Sequence, residues 1–155
     1  MPNTKINIRL ATVDDLQDVQ VCAQAAYAKY NDRMDQVPAP MVANFARQIN
    51  LGQVYVALRS LSFVGYVVFY AQRHHIHLEN VAVVPSQSGQ GIGRALVEYV
   101  EAVAREKGFD SVELYTNEVM TENLAMYPYW GYKEIDRKPQ AGFNRVFFRK
   151  SIAPV

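Results

Sequence analysis

Cysteine is almost absent: Cys22 is the only one among 155 residues. No intramolecular disulfide can form, nothing supports an oxidising destination, and the fold has to be held by apolar burial. An excess of one charge is absent too. Lysine and arginine number 16 against 15 acidic residues, which leaves no broad positive field to draw in nucleic acid or an anionic membrane. Long apolar runs are also missing. The longest, around Val64 to Ala71, is far too short to cross a bilayer, and the start MPNTKINIRL lacks the apolar core of a signal peptide. Neither export nor anchoring is indicated, so the expected location is cytoplasmic, with no membrane and no nucleic-acid partner. What remains is the balance of a globular protein, 50% apolar and 20% charged, with the length for a single domain over 1–155 and a core of its own.

Hydrophobic periodicity divides the chain into alternating elements. Ile6, Ile8 and Leu10 alternate with polar residues as in a short strand, and Thr12, Asp14 and Asp15 supply the cap and acidic first turn of a helix. Leu16, Val19, Ala23, Ala26 and Tyr30 continue at near-helical spacing until NDRMDQVPAP breaks it. Met41 to Leu51 predicts a second short helix, stopped by Gly52. Two β-rich segments, Gln53 to Leu58 and Phe63 to Ala71, flank a short connection as a hairpin would, and a third strand runs from His75 to Val84. Ile92, Leu96, Tyr99 and Val103 stripe a central helix that ends at Gly108. Ser111 to Thr116 reads as a strand, Thr121 to about Tyr127 as a short helix, and Tyr132 to Asp136 with Arg145 to Lys150 as a closing antiparallel pair. Hairpins combined with one βαβ crossover give an α/β (α+β) class, a mixed sheet with helices on its faces.

Between the third strand and the central helix stands SGQGIGR, Ser88 to Arg94. A helix N-terminus presents unpaired N–H groups and partial positive charge, and residues without Cβ let a diphosphate approach them, so this loop suits an anion. A dinucleotide-binding turn is the competing reading. GQGIGR does not match G-x-G-x-x-G, and although Glu113 loosely fits the acidic position that follows, the turn lies past mid-chain and leaves too few residues for a doubly wound sheet. A plain tight turn is the third reading, although three alternating glycines are more than such a turn needs.

Three blocks together resemble the GNAT superfamily of N-acetyltransferases over nearly the whole chain. VAVVPSQSGQGIGRALVEYV is similar to the family's acetyl-CoA motif, TNEVMTENLAMY to the strand and helix that follow, and YPYWGY to the closing Y-x-x-x-G-[FY]. The resemblance implies a mostly antiparallel sheet of six to seven strands and an enzyme that transfers an acetyl group from acetyl-CoA, as cosubstrate, to a primary amine in a ternary complex. It places the cofactor on Val81, Val83, Ser88, Gly89, Gln90, Gly91, Ile92, Gly93, Arg94, Asn123 and Tyr127. One departure is visible: Ser88 stands where the family usually has Gln or Arg, so the loop's grip should rest on backbone N–H groups, with Arg94 as the nearest cation. Tyr127, four residues before Gly131, is implied as the general acid for the departing thiolate, its alternative being one more core aromatic beside Tyr129, Trp130 and Tyr132. Pro128 directly after it can kink or end the helix. Glu79 is implied as general base, directly or through water; a solvated or cation-paired strand Glu is the alternative. By strict alternation Glu79 shares a face with Val81 and Val83, but the resembled fold carries a β-bulge in this strand that re-aims residues and exposes the Val83 backbone.

His74, His75 and His77 invite a metal reading, which the lack of a nearby cysteine or second ligand pair opposes; no metal is expected, although one of them could relay a proton. The resemblance also implies an acceptor wall between the first two helices, offering Tyr27, Tyr30, Asn31, Asp32, Met34 and Asp35, and aromatic faces with carboxylates suit a cationic amine. An exposed polar loop is the alternative. The expected acceptor is therefore a small-molecule or peptide amine, and a homodimer is left open as a partner. The rival from another class is a non-catalytic acyl-CoA-binding sensor.

Overall fold

The structure, a computed structural model, describes residues 5–34 and 36–153. Seven strands form one sheet: β1 Ile6–Leu10, β2 Val54–Arg59, β3 Ser62–Gln72, β4 His75–Val83, β5 Ser111–Asn117, β6 Lys133–Gln140 and β7 Phe143–Ser151. Their spatial order is β1-β2-β3-β4-β5-β7-β6, and every neighbouring pair is antiparallel except β4 and β5. The crossover between that parallel pair is helix α3, Ile92–Glu106, whose apolar stripe buries Ile92, Leu96, Val97, Val100 and Ala104 against one face of the sheet. Helix α4, Thr121–Tyr129, adds Tyr127 to the same core. Helices α1, Leu16–Tyr27, and α2, Phe45–Asn50, cover the opposite face through Val19, Cys22, Ala23 and Phe45. The mixed α/β class and the helices on both faces agree with the sequence. No helix among the described residues is long and apolar enough to cross a membrane.

Several boundaries differ from the periodicity. The first α-helix stops at Tyr27 and tightens into a 3-10 stretch, Ala28–Arg33, which still buries Tyr30. The second is shorter than Met41 to Leu51, because Pro38 and Pro40 hold a separate 3-10 turn, Ala39–Val42, and Ala43 is extended before the Asn44 side chain caps α2. The β6–β7 hairpin is longer than expected, turning only at Ala141 and Gly142, both with positive φ. Every residue of β6 is exposed, so this edge strand carries no alternation to read, and Pro139 is tolerated there because an edge leaves one side unpaired. Pro128 does not end α4. It sits in the last turn, where it removes one i→i−4 hydrogen bond, and the helix still runs through Tyr129.

The decisive irregularity is in β4. Its pairing with β3 slips between Val68↔Asn80 and Phe69↔Leu78, leaving Glu79 as the extra residue of a β-bulge. Ile76 and Leu78 before it and Val81 and Val83 after it all lie on the α3 side, which strict alternation forbids. Glu79 therefore leaves the face of Val81 and Val83 and turns to the other side with His77. From the same point β4 and β5 separate: they pair only over His75–Leu78 and Ser111–Leu114, after which β4 keeps β3 and β5 keeps β7. A wedge opens through the sheet.

Candidate active site

On leaving β4 the chain makes a 3-10 turn, Pro85–Gln87, and the Ser88 N–H donates to the Pro85 carbonyl at 3.2 Å. Gly89 and Gly91 then take φ of +78° and +81°, the left-handed region that excludes most side chains, and Gly91 caps α3. A Cβ built at either would meet nothing within 4 Å. The space over the loop is thus free of protein, bordered by the first N–H groups of a fifteen-residue helix. That fits a diphosphate held by backbone. Ile92, 1% exposed, anchors the helix start in the core, and at Gly93 a Cβ would lie 3.6 Å from the Val83 side chain. Ser88 and Gln90 are exposed, and Arg94 lies 3.8 Å from Glu98. A second cation reaches the loop from across the sheet: Arg59, at the end of β2, donates to the side-chain oxygens of Gln87, at 3.2 Å, and of Gln90. Nothing local in the sequence signals Arg59, because only the β2–β3 hairpin brings it there.

The wedge continues into a cavity of about 260 Å³. Both faces of the sheet contribute to it: Tyr127 and Asn123 from α4, Tyr27 from α1, Glu79 and Val81 from β4, and Arg145 from β7. Tyr127 is 4% exposed, with its ring 5.8 to 5.9 Å from those of Trp130, Tyr132 and Phe148. Its aim is set by the end of α4. The Tyr132 N–H returns to the Tyr127 carbonyl and the Gly131 N–H to that of Pro128, a Schellman closure that needs Gly131 at φ +96°. Tyr132 then donates to Glu101 on α3 at 2.8 Å and locks the turn. No hydrogen-bond partner for the Tyr127 hydroxyl occurs among the described residues. Burial pushes its pKa above the ordinary tyrosine value, so it is a proton donor at neutral pH.

Glu79 is half-buried and has three partners, two on Oε1 and one on Oε2, which leaves Oε2 room for another donor. Tyr70 donates to it at 3.0 Å, Tyr115 at 3.1 Å, and His77 Nε2 lies 3.4 Å away. The His77 contact above all, then the two tyrosines, hold its carboxyl below the usual range despite burial. Burial and the Glu79 charge push Tyr115 up to about 12. The group is thus a stable anion, able to hold an ammonium. His77, whose ring lies 5.3 Å from that of Tyr70 and 5.4 Å from that of Tyr115 and is tilted to both, is the one histidine of the cluster that reaches Glu79. His75 turns to Glu113 at 3.6 Å and His74 is exposed in the β3–β4 turn, and no three His, Cys, Asp or Glu side chains among the described residues converge as metal ligands would.

The remaining expectations divide. Tyr27 lines the cavity, its hydroxyl 2.9 Å from Asn80 Oδ1 and 3.0 Å from the Val81 carbonyl, and Met34 lines it too. Asn123 is held by the Thr116 hydroxyl at 3.1 Å through its Nδ2. Tyr30 is buried beneath Lys29 and Arg33, Asn31 and Asp32 are exposed, and none of these three lines the cavity; Asp35 lies outside the described residues. Val83 pairs with Gly65 and turns its side chain towards α3. Tyr70, Asn80, Tyr115 and Arg145 were missed. They are strand residues whose role depends on the bulge and on strand order, and neither leaves a local signal.

Residues 19–132 match the Acetyltransferase (GNAT) family. Mycothiol acetyltransferase of Jonesia denitrificans is 32% identical over 80 residues, 50% of this chain and 26% of that protein. Aminoalkylphosphonate N-acetyltransferase of Salmonella typhimurium is 32% identical over 85 residues, 51% of this chain and 55% of that protein. The matched stretches thus span about a quarter and about half of these curated relatives. Among solved structures, the ribosomal-protein-S18-alanine N-acetyltransferase of Escherichia coli superposes with a TM-score of 0.76 at 18% identity, covering 97% of this chain and 96% of that one. The PaiA N-acetyltransferase of Thermoplasma acidophilum in complex with coenzyme A gives 0.77 at 16% identity, covering 95% and 99%. These structural likenesses show the fold, and the family match spans most of the chain, from within α1 to Tyr132. By that match, the chain belongs to the acetyltransferase (GNAT) family.

Proposed function

We propose that this protein transfers an acetyl group from acetyl-CoA to the primary amine of a small molecule or peptide. The observation that carries the reading is the meeting, in one cavity at the splay of β4 and β5, of a buried protonated Tyr127 and an ionised Glu79. Acetyl-CoA supplies the activated thioester. The loop from Gly89 to Gly93 holds its pyrophosphate on backbone N–H groups, with Arg59 and Arg94 as the nearby cations. The unpaired edge of β4, at Val81 and Val83, steadies the pantetheine arm and the charge that builds on the carbonyl oxygen. Glu79 draws in the ammonium and takes up its proton, directly or through a water with His77 alongside, so that the neutral amine attacks the carbonyl carbon. Tyr127 gives its proton to the sulfur as the carbon–sulfur bond breaks, the second proton of the attacking nitrogen passes through water to restore the Tyr127 hydroxyl, and an amide and free CoA leave. A cytoplasmic setting accompanies this reading; burial raises the pKa of the single thiol, Cys22, to about 12 and leaves it inert.

The test follows free thiol while the protein is incubated with acetyl-CoA and a panel of amines. Acceptor-dependent release is expected. Acetyl-CoA binding with no release from any amine would favour a sensor that keeps the cradle without turnover.

A further inference from the structure

Three buried charges stand out among the described residues, and two are neutralised: Asp15 by Arg9 at 2.8 Å and Glu101 by Lys150 at 3.0 Å. The third is Arg145, 9% exposed, with no carboxylate within 4.0 Å among the described residues. Its guanidinium has one hydrogen-bond partner, the neutral Gln140 side-chain oxygen at 2.8 Å, and lies 4.1 Å from the Tyr115 ring centroid and 5.4 Å from that of Phe143. Two ring faces and one amide leave most of a planar fork of five donors unused, and a buried charge so placed is costly unless an anion completes it. Arg145 lines the same cavity as Glu79 and Tyr127. Tyr115 links the two poles: its ring lies under Arg145 and its hydroxyl donates to Glu79 at 3.1 Å. Cation and anion are therefore about one tyrosine side chain apart. The Gln48 Oε1, buried without a partner among the described residues on a residue that also lines the cavity, adds a second acceptor.

We propose that Arg145 binds a carboxylate or another oxyanion of the acceptor, which is then a small zwitterion carrying its primary amine and its anionic group a few bonds apart. This rests on the acetyl-transfer reading for the purpose of the amine and on the cavity alone for the anion. A bidentate oxyanion satisfies the guanidinium fork, while the ammonium faces Glu79. Neutral amines leave Arg145 unpaired, and diamines bring a second positive charge against it.

The test is binding of four amines that share an aminoethyl group, β-alanine, O-phosphoethanolamine, ethanolamine and 1,3-diaminopropane, to the CoA-loaded protein by titration calorimetry. At least one of the first two is expected to bind ~10-fold or more tighter than ethanolamine, with 1,3-diaminopropane weakest; which of the two leads separates carboxylate from phosphate. Arg145→Gln should erase that preference and Arg145→Lys retain part of it. Equal binding of ethanolamine and both anionic amines by the unaltered protein would overturn the assignment, as would an Arg145→Gln variant that weakens all four alike. Thiol release from acetyl-CoA, recorded in parallel, separates the two readings: an Arg145-dependent anion preference in binding without release from any of the four counts against acetyl transfer and leaves the anion site standing.

Discussion

The glycine loop and the cavity adjoin the same strand, β4, and are built in opposite ways. The loop is contiguous, exposed and made of backbone: Gly89 and Gly91 hold left-handed conformations under open space, and Ser88 and Gln90 beside them are exposed, with Ile92 alone anchoring the helix start in the core. The cavity is assembled from distant segments, is half-buried, and works through side chains whose charge is set by neighbours, as Glu79 is by His77, Tyr70 and Tyr115. Loop function should thus survive changes of side chain and fail on changes of backbone, and cavity function should do the reverse.

The largest effect is expected at Gly91. Valine there must adopt φ +81°, which a β-branched residue strongly resists, and its side chain enters the space assigned to the diphosphate, so acetyl-CoA affinity should fall more than ~100-fold in a calorimetric titration. Gly93→Ala is the contrast. Its φ is ordinary and its Cβ meets Val83 at a normal 3.6 Å, so affinity should stay within ~3-fold. Next comes Tyr127→Phe, which removes the proton donor and keeps the packing: kcat should drop ~100-fold with the acetyl-CoA Kd nearly unchanged. A parallel fall in both would move Tyr127 from the chemistry to the grip.

Glu79→Gln should lower kcat/KM for the amine by ~10-fold. Because the native carboxyl is depressed, the folded state favours its ionised form, whose contribution is present above the ordinary carboxylate pKa and is lost only as pH falls through the depressed value. Any acid limb of kcat/KM seen above about pH 5 accordingly belongs to another group, and Glu79→Gln should lower the plateau without moving that limb. A limb that vanishes in the variant would contradict the geometry. The smallest effect is at the loop's one departure: Ser88→Arg, adding a charge-assisted contact, should tighten acetyl-CoA binding by ~3-fold and leave kcat alone.

The same contrast explains what could be read from residue order. Strands, helices and the loop were legible because their signals are local: alternation in β1, the stripe of Ile92, Leu96, Tyr99 and Val103, and glycines before a helix. Gly131 could also be read, since YPYWGY keeps the turn that aims Tyr127 within six residues. The position of the bulge at Glu79 was not legible, because the extra residue is defined only against the partner strand β3. The lining of the cavity was legible only in part for a related reason. Met34 and Tyr27 line it, as do Arg145 and Tyr115, which arrive through the pairing of β5 with β7.

One measurement bears most directly on the central claim that a backbone cradle at Gly89 to Gly93 delivers a thioester into the wedge beside Tyr127. It is a crystal structure of the protein with CoA. The expected result has the pyrophosphate oxygens within hydrogen-bond distance of N–H groups between Gly89 and Arg94, and the CoA sulfur within reach of the Tyr127 hydroxyl. Pyrophosphate seated away from the loop, or a sulfur outside the cavity that Tyr127 and Glu79 share, would contradict the account.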